Sequence, residues 1–337
     1  MPHQRSSRAV VLIAVVLSQS ACYYAQAARG QYDVLRRSEP IDEVLAADST
    51  PDELARQLAL VQEARQFAVD ELLLPDNDSY RSYADLGRDY VVWNVFAAPE
   101  FSLQARTWCF PVAGCVAYRG YFDEQDARRK AAQLQDAGFD VAVGGVPAYS
   151  TLGRFDDPVL NTMLHWQDTD LVATIFHELA HQVLYIKDDT AFNESFATAV
   201  ADIGLERWLR RQGESSEFDA YQERRRLREE LVAIIRDASA ELEALYDSPV
   251  DEDTMRAAKD ARLRRLADDL QAKLAASGVD SPGWPGGPLN NARIASIGLY
   301  ELDLGRFRAL YEECGRELEC FYDRASSLRL SESSSRR

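Results

Sequence analysis

Basic residues are in short supply in this chain: 38 lysines and arginines stand against 55 acids, a formal charge of -17 over 337 residues. A net anion of that size repels phosphate backbones, which makes nucleic acid a poor partner. It favours cationic or amine-bearing substrates only weakly, and solubility alone also accounts for it. No run of about 20 apolar residues occurs, so no segment is long enough to span a bilayer as a helix. No CxxC pair occurs and no histidine adjoins a cysteine, which argues against a cysteine-based metal site. Internal repeats are absent. Histidine is scarce, four in all, and that scarcity gives weight to the one place where two fall close together. What is left is an ordinary globular balance, 46% hydrophobic and 28% charged, in a chain long enough for one large domain or two ordinary ones.

Residues 1–21 read as a secretory signal of lipoprotein type. Arg5 and Arg8 precede the apolar run Ala9–Leu17, and Ser18-Gln19-Ser20-Ala21 leads to Cys22. Cys22 is then the residue to be acylated, although Gln19 stands where such signals usually carry leucine. The expected location is the cell envelope, facing the periplasm on a lipid anchor, and Tyr23 rather than aspartate after the cysteine favours the outer membrane. Four cysteines remain, Cys109, Cys115, Cys314 and Cys320, an even number suited to disulfides in an oxidising compartment. The turn-prone stretch between Cys109 and Cys115 brings them within bonding reach. Cys314 and Cys320 lie in a helical-looking segment, where a spacing of six points them to opposite faces. Three connectivities are open.

Along the chain, Asp52–Leu74 has apolar residues at helical spacing. Strands are expected at Tyr90–Phe96, Val116–Phe122 and Phe139–Val146, with a helix Asp123–Ala137 between the last two, capped by Asp123 and stopped by Gly138. Leu171–Lys187 and Asn193–Arg211 are expected helices joined by a short turn. A highly charged arm, residues 216–277, is split by Ser248-Pro249 into two antiparallel helices. Asn291–Ser326 is a last helical region, and the tail 331–337 has a disordered composition. The fold class is α+β, mainly helical, with a small sheet and a long charged helical hairpin in a single domain over 22–330.

His177-Glu178-Leu179-Ala180-His181 is an HExxH motif. On a helix, positions i and i+4 share a face, so both imidazoles point at one ion. Neutral imidazole suits zinc, and Glu178, beside the first ligand, is placed to take a proton from a water on the metal. Ile175, Phe176, Leu179, Val183 and Leu184 supply an apolar stripe, so the helix is buried, and a buried pair of histidines calls for a compensating partner. No histidine follows the motif. Glu194, near the start of the next helix, is the third-ligand candidate, leaving a fourth position open as catalytic zinc sites do. Asp202, eight residues on, is a candidate to orient a ligand histidine. Tyr149, after the third strand, is a candidate hydrogen-bond donor to a tetrahedral intermediate, and that strand is a candidate edge for substrate backbone. Arg293 is a candidate carboxylate binder, against the commoner capping turn.

Tyr23-Tyr24-Ala25-Gln26, Trp93-Asn94-Val95-Phe96, Trp108-Cys109-Phe110-Pro111, Ala148-Tyr149-Ser150-Thr151-Leu152-Gly153, Phe176-His177-Glu178-Leu179-Ala180-His181-Gln182, Phe192-Asn193-Glu194-Ser195-Phe196-Ala197 and Asn290-Asn291-Ala292-Arg293 together cover most of the chain. With these elements the chain resembles a bacterial zinc aminopeptidase family of gluzincin type, whose members are often predicted to be lipoproteins. The resemblance implies a zincin-like domain with one Zn2+ on His177, His181 and Glu194 and with Glu178 as general base; Asn193, beside Glu194, is a further candidate to support a ligand or to meet substrate. The gap from His181 to Glu194 is shorter than in better-known zinc aminopeptidases, so their substrate-anchoring residues do not transfer. The expected activity is hydrolysis of peptide bonds by attack of a zinc-bound water, as an aminopeptidase. An envelope endopeptidase and a non-catalytic metal-binding lipoprotein whose arm binds a partner are the alternatives.

Overall fold

The computed structural model of the protein describes residues 23–110, 114–148, 150–187, 189–278, 287–298 and 304–335. Residues 1–22, where a signal and its cysteine are expected, and Tyr149 lie outside the described residues. A helix over 23–36 (α1) opens the structure. It is followed by β1 (Ser38–Pro40), α2 (Ile41–Ala46), α3 (Asp52–Leu72), β2 (Ser82–Ala84), β3 (Val92–Pro99), β4 (Trp108–Phe110), β5 (Gly114–Val116), β6 (Arg119–Tyr121), α4 (Glu124–Asp136), β7 (Phe139–Val146) and β8 (Val159–Leu160). Then come α5 (Asp168–Val183), α6 (Thr190–Gln212), α7 (Ser215–Tyr246), α8 (Glu252–Ser277), α9 (Asn291–Gly298), α10 (Leu304–Glu313) and α11 (Leu318–Ser335). The protein is mainly helical with small sheets, as expected of its class.

The largest sheet runs β6-β3-β7, with β3 antiparallel to both neighbours. The β6–α4–β7 unit therefore crosses over with β3 between its strands. Asp123 caps α4 by accepting from Asp126 N, and Gly138 follows with φ 83°, the left-handed turn that glycine takes without a Cβ clash. One sheet face packs on α4 through Val95, Ala97, Ala131 and Leu134; the other packs on α9 through Phe96, Ala98 and Ala292.

β7 is an edge strand, and half of its outer edge is covered. Asn290 Nδ2 donates to Val141 O at 2.9 Å, and Arg293 Nη2 donates to Val143 O at 3.0 Å. Carbonyls two residues apart point the same way along a strand, so both side chains satisfy the edge that faces away from β3. Arg293, a candidate substrate residue from sequence, is thus a buried strand-edge partner, 9% exposed.

The main core lies elsewhere, among α3, α5, α6, α10 and α11. α5, which carries the motif, packs on α3, α6 and α7. The sheet meets the main core at the start of β3 and the end of β7, through Val91, Val92 and Val146. The charged arm is an antiparallel hairpin, α7 against α8, with ion pairs Arg262–Glu241 and Lys273–Glu230 in step along it and its own small core around Leu231, Ile235 and Leu266. It is tied down: Lys259, 5% exposed, pairs with Asp140 at the start of β7, and Arg256 pairs with Glu100.

Several boundaries differ from expectation: β3 runs Val92–Pro99, the expected strand 116–122 is split between β5 and β6, and α6 starts at Thr190. α5 ends at Val183 rather than Lys187, because the Asn193 amide takes both backbone groups of Ile186, accepting from its N and donating to its O at 2.7 Å each. The last helical region is broken by Gly315 and Arg316, at φ 62° and 66°. Cys314 therefore ends one helix and Cys320 opens the next, and they form a disulfide, as do Cys109 and Cys115 across β4–β5. Opposite faces of one helix, the expectation for Cys314 and Cys320, do not apply once the helix is interrupted. The backbone also stays helical to Ser335, into the serine-rich tail.

Candidate metal centre

α5 begins with Asp168 and Asp170 in its first turn, where carboxylates complement the helix dipole, and buries Leu171, Ile175, Phe176 and Leu179. That burial fixes the rotation of the helix and sends His177 and His181 to one side. α6 starts at Thr190, capped by Asp189, which accepts from Phe192 N at 3.2 Å, so Glu194 lies in the helix rather than at its first residue. Gly204 lets α6 come close: a Cβ there would stand 2.6 Å from Leu72 Cδ1 and 2.7 Å from Phe176 Cδ2.

The two helices bring three ligand-type atoms together. His177 Nε2 and His181 Nε2 are 3.1 Å apart; Glu194 Oε2 is 3.3 Å from the first and Glu194 Oε1 3.6 Å from the second. Among the described residues this is the one group of three or more such side chains able to hold a metal ion. Ligand atoms about 2.0–2.1 Å from a tetrahedral ion sit roughly 3.3 Å from one another, so the observed separations bracket that value. The Nδ1 atom of His181 is buried with no hydrogen-bond partner among the described residues. His181 is 6% exposed, while His177 and Glu194 are 21% and 25% exposed, so the centre opens on one side.

The charges fit a cation. Burial works to depress the His177 imidazole, but the carboxylates of Glu194, Glu178 and Asp202 outweigh it and hold it above its usual value. Burial, helped by the His177 charge, pushes His181 down to about 4. Burial would raise Glu194, yet the two imidazoles bring it below the ordinary carboxylate range.

Glu178 stands on the same helix and is raised to about 7, first by burial and then by the negative charges of Glu194 and Asp157, with His177 and a hydrogen bond from Ser150 opposing. That hydrogen bond was not foreseen from sequence. Ser150 and Thr151 are in turn held by Asp157, 1% exposed, whose Oδ2 accepts from Thr151 N at 2.7 Å, Thr151 Oγ1 at 3.0 Å and Ser150 Oγ at 3.4 Å. Tyr80 completes the wall: its N–H donates to Asp157 O, its backbone sits at φ 63°, unusual for an aromatic residue, and its buried phenol is raised well above its normal range by burial and by Glu178 and Asp157. Gln182, next to His181, ties this wall to α5 by accepting from Asn77 Nδ2 and donating to Ser79 Oγ.

Of the other residues singled out from sequence, Asn193 is 1% exposed and serves as the clamp on Ile186, setting the turn that presents Glu194. Asp202 does not hydrogen-bond a ligand histidine. Its carboxylate is bound by Arg225, Arg308 and Tyr221, and it acts on His177 through charge alone. The hydroxyl that meets a ligand histidine is that of Thr198, 3.4 Å from His177 Nδ1. Its one sequence signal was its place four residues after Glu194, on the same helix face.

A family model described as putative aminopeptidase matches residues 22–337. The chain belongs to that family. No curated protein and no solved structure matches it. Membership supports a peptidase function in general, and HExxH with Glu194 is the part of this family member that can bind a metal ion.

Proposed function

We propose that the chain is a zinc-dependent aminopeptidase of the cell envelope, held to a membrane by a lipid on Cys22. The observation that carries the catalytic part is the convergence of His177 Nε2, His181 Nε2 and a Glu194 carboxylate at separations suited to one tetrahedral ion. A zinc ion in that centre would act as a Lewis acid that polarises a carbonyl and lowers the pKa of a water. The rest is the work of the chain. Glu178 takes the proton of the attacking water on its carboxylate and passes it to the leaving amine. Burial keeps that carboxyl near neutral, where it both accepts and returns a proton, and Ser150 holds its orientation. His177 and Glu194 face the open side, where a peptide carbonyl has access. The family description supports cleavage at the N-terminus.

The test compares the mature chain with Glu178→Gln. Both are expected to bind about one zinc ion, and the variant should hydrolyse a mixed peptide library about 10²–10⁴-fold more slowly. Products lacking only their N-terminal residue support the aminopeptidase, whereas internal cuts would replace it with an endopeptidase. Zinc binding without cleavage by either protein would overturn the enzymatic reading.

A further inference from the structure

Arg106, Arg119 and Lys130 are among the cations of this acidic chain that have no ion-pair partner among the described residues. Their neighbouring acids are taken, Glu124 by Arg128 and Asp126 by Arg129. The three cations flank one hydrophobic cluster, Arg106 over Trp108 and Phe139, Arg119 over Tyr23 and Tyr121, and Lys130 next in the chain to Ala131; after burial, the charges of Arg119 and Arg106 help hold Lys130 below its usual value. Aromatic rings line the same ground. The Arg119 guanidinium lies 4.1 Å over the Tyr23 ring, and Arg106 lies 5.7 Å over Trp108 and 5.5 Å over Phe139. Tyr23 stacks on Phe110 at 5.4 Å, and Tyr24, 46% exposed, meets Tyr23 edge-on. In a molecule of charge -17, a basic and aromatic patch is ground that an anionic surface attracts.

The place of this patch in the chain identifies the occupant. Tyr23 directly follows Cys22, and one peptide unit, about 3.8 Å from Cα to Cα, separates them. An acyl chain on Cys22 therefore has no spacer, and the ground around Tyr23 comes to lie at the level of the lipid headgroups. Amphipathic aromatic rings and Lys or Arg are the side chains that such an interface retains. Resting on the reading of Cys22 as a lipid anchor, we propose that Tyr23, Tyr24, Trp108, Arg106, Arg119 and Lys130 form a docking face for an anionic lipid surface. The lipid sets the attachment, and this face sets the orientation of the enzyme on it.

The test uses the mature chain with Cys22→Ala, which carries no lipid, sedimented with vesicles of phosphatidylcholine alone or with phosphatidylglycerol. The chain is expected to sediment with the phosphatidylglycerol vesicles, less so as salt rises, and not with phosphatidylcholine alone. Arg106→Gln with Lys130→Gln should lower the partition about fivefold per cation removed, about 25-fold together, with melting temperature and zinc content unchanged. Equal behaviour on the two vesicle types, no sedimentation with either, or a folded double variant that binds as the parent does would each overturn the proposal. The mass of the chain recovered from membranes reports acylation of Cys22 separately. If Cys22 is bare and the vesicle result holds, the anchor falls and the docking face stands; if Cys22 is acylated and the vesicle result fails, the face falls alone.

Discussion

His177 is the candidate ligand whose protonation would couple a bound metal ion to pH. Its imidazole is held above the usual value by Glu194, Glu178 and Asp202 against the effect of burial, whereas His181 is already neutral and Glu194 already ionised near neutrality. A ligand nitrogen must be free of its proton, so an incoming ion displaces one proton, from His177. The sign follows: below the raised pKa of His177, apparent zinc affinity falls as pH falls, by about tenfold per unit for one displaced proton, and above it the affinity levels off. Zinc titrations between about pH 5 and 8, together with calorimetry in buffers of different ionisation heat, measure both the slope and the released proton; a flat affinity over that range would contradict it. At this scale the ligand pair and Glu178 were legible, because i and i+4 on a helix is a local relation. The setting of Glu178 among Ser150, Asp157 and Tyr80 was not. It joins residues 80, 150, 157 and 178 across loops whose course no local pattern specifies.

Among the elements, α5 and α6 determine whether the three ligands meet, and Gly204 determines how near those helices approach. A methyl group at this position would press on Leu72 and on Phe176, the residue before the first ligand. Gly204→Ala is expected to cost about 1–3 kcal/mol by overpacking and to weaken zinc binding at the same time, since relief requires α5 and α6 to separate. Thermal unfolding of the metal-free protein and a zinc titration report the two effects; a variant unchanged in both would show that the helices do not depend on this contact. α3 and β7 were readable almost residue for residue, since their periodicity and punctuation are local. The end of α5 was not, because Asn193 ends it from another helix. Nor was the break before α11, where a positive φ falls on Arg316, a residue with no intrinsic preference for that conformation.

Taken whole, the molecule has two disulfides with different duties. Cys314–Cys320 joins α10 to α11 within the main core, while Cys109–Cys115 closes a hairpin outside it. Each closes a short loop, worth about 2 kcal/mol in the unfolded chain. Replacing Cys314 and Cys320 by serine is expected to lower global stability by about that amount. Replacing Cys109 and Cys115 should leave the melting temperature nearly unchanged and speed hydrogen exchange across residues 108–116. Equal shifts from both pairs would mean that the hairpin and the core unfold as one unit. The even number of cysteines was readable, but their pairing awaited the break in the C-terminal helices.

Asn290 and Arg293 at the rim of β7 have a meaning for the protein in company with copies of itself. An exposed strand edge offers a row of unpaired donors and acceptors to any extended chain, including another molecule of the same protein. With Val141 O and Val143 O already engaged from within, that rim is a poor template for growth. Loss of these two side chains would show first as self-association in a crowded compartment, before any change in what the enzyme cuts.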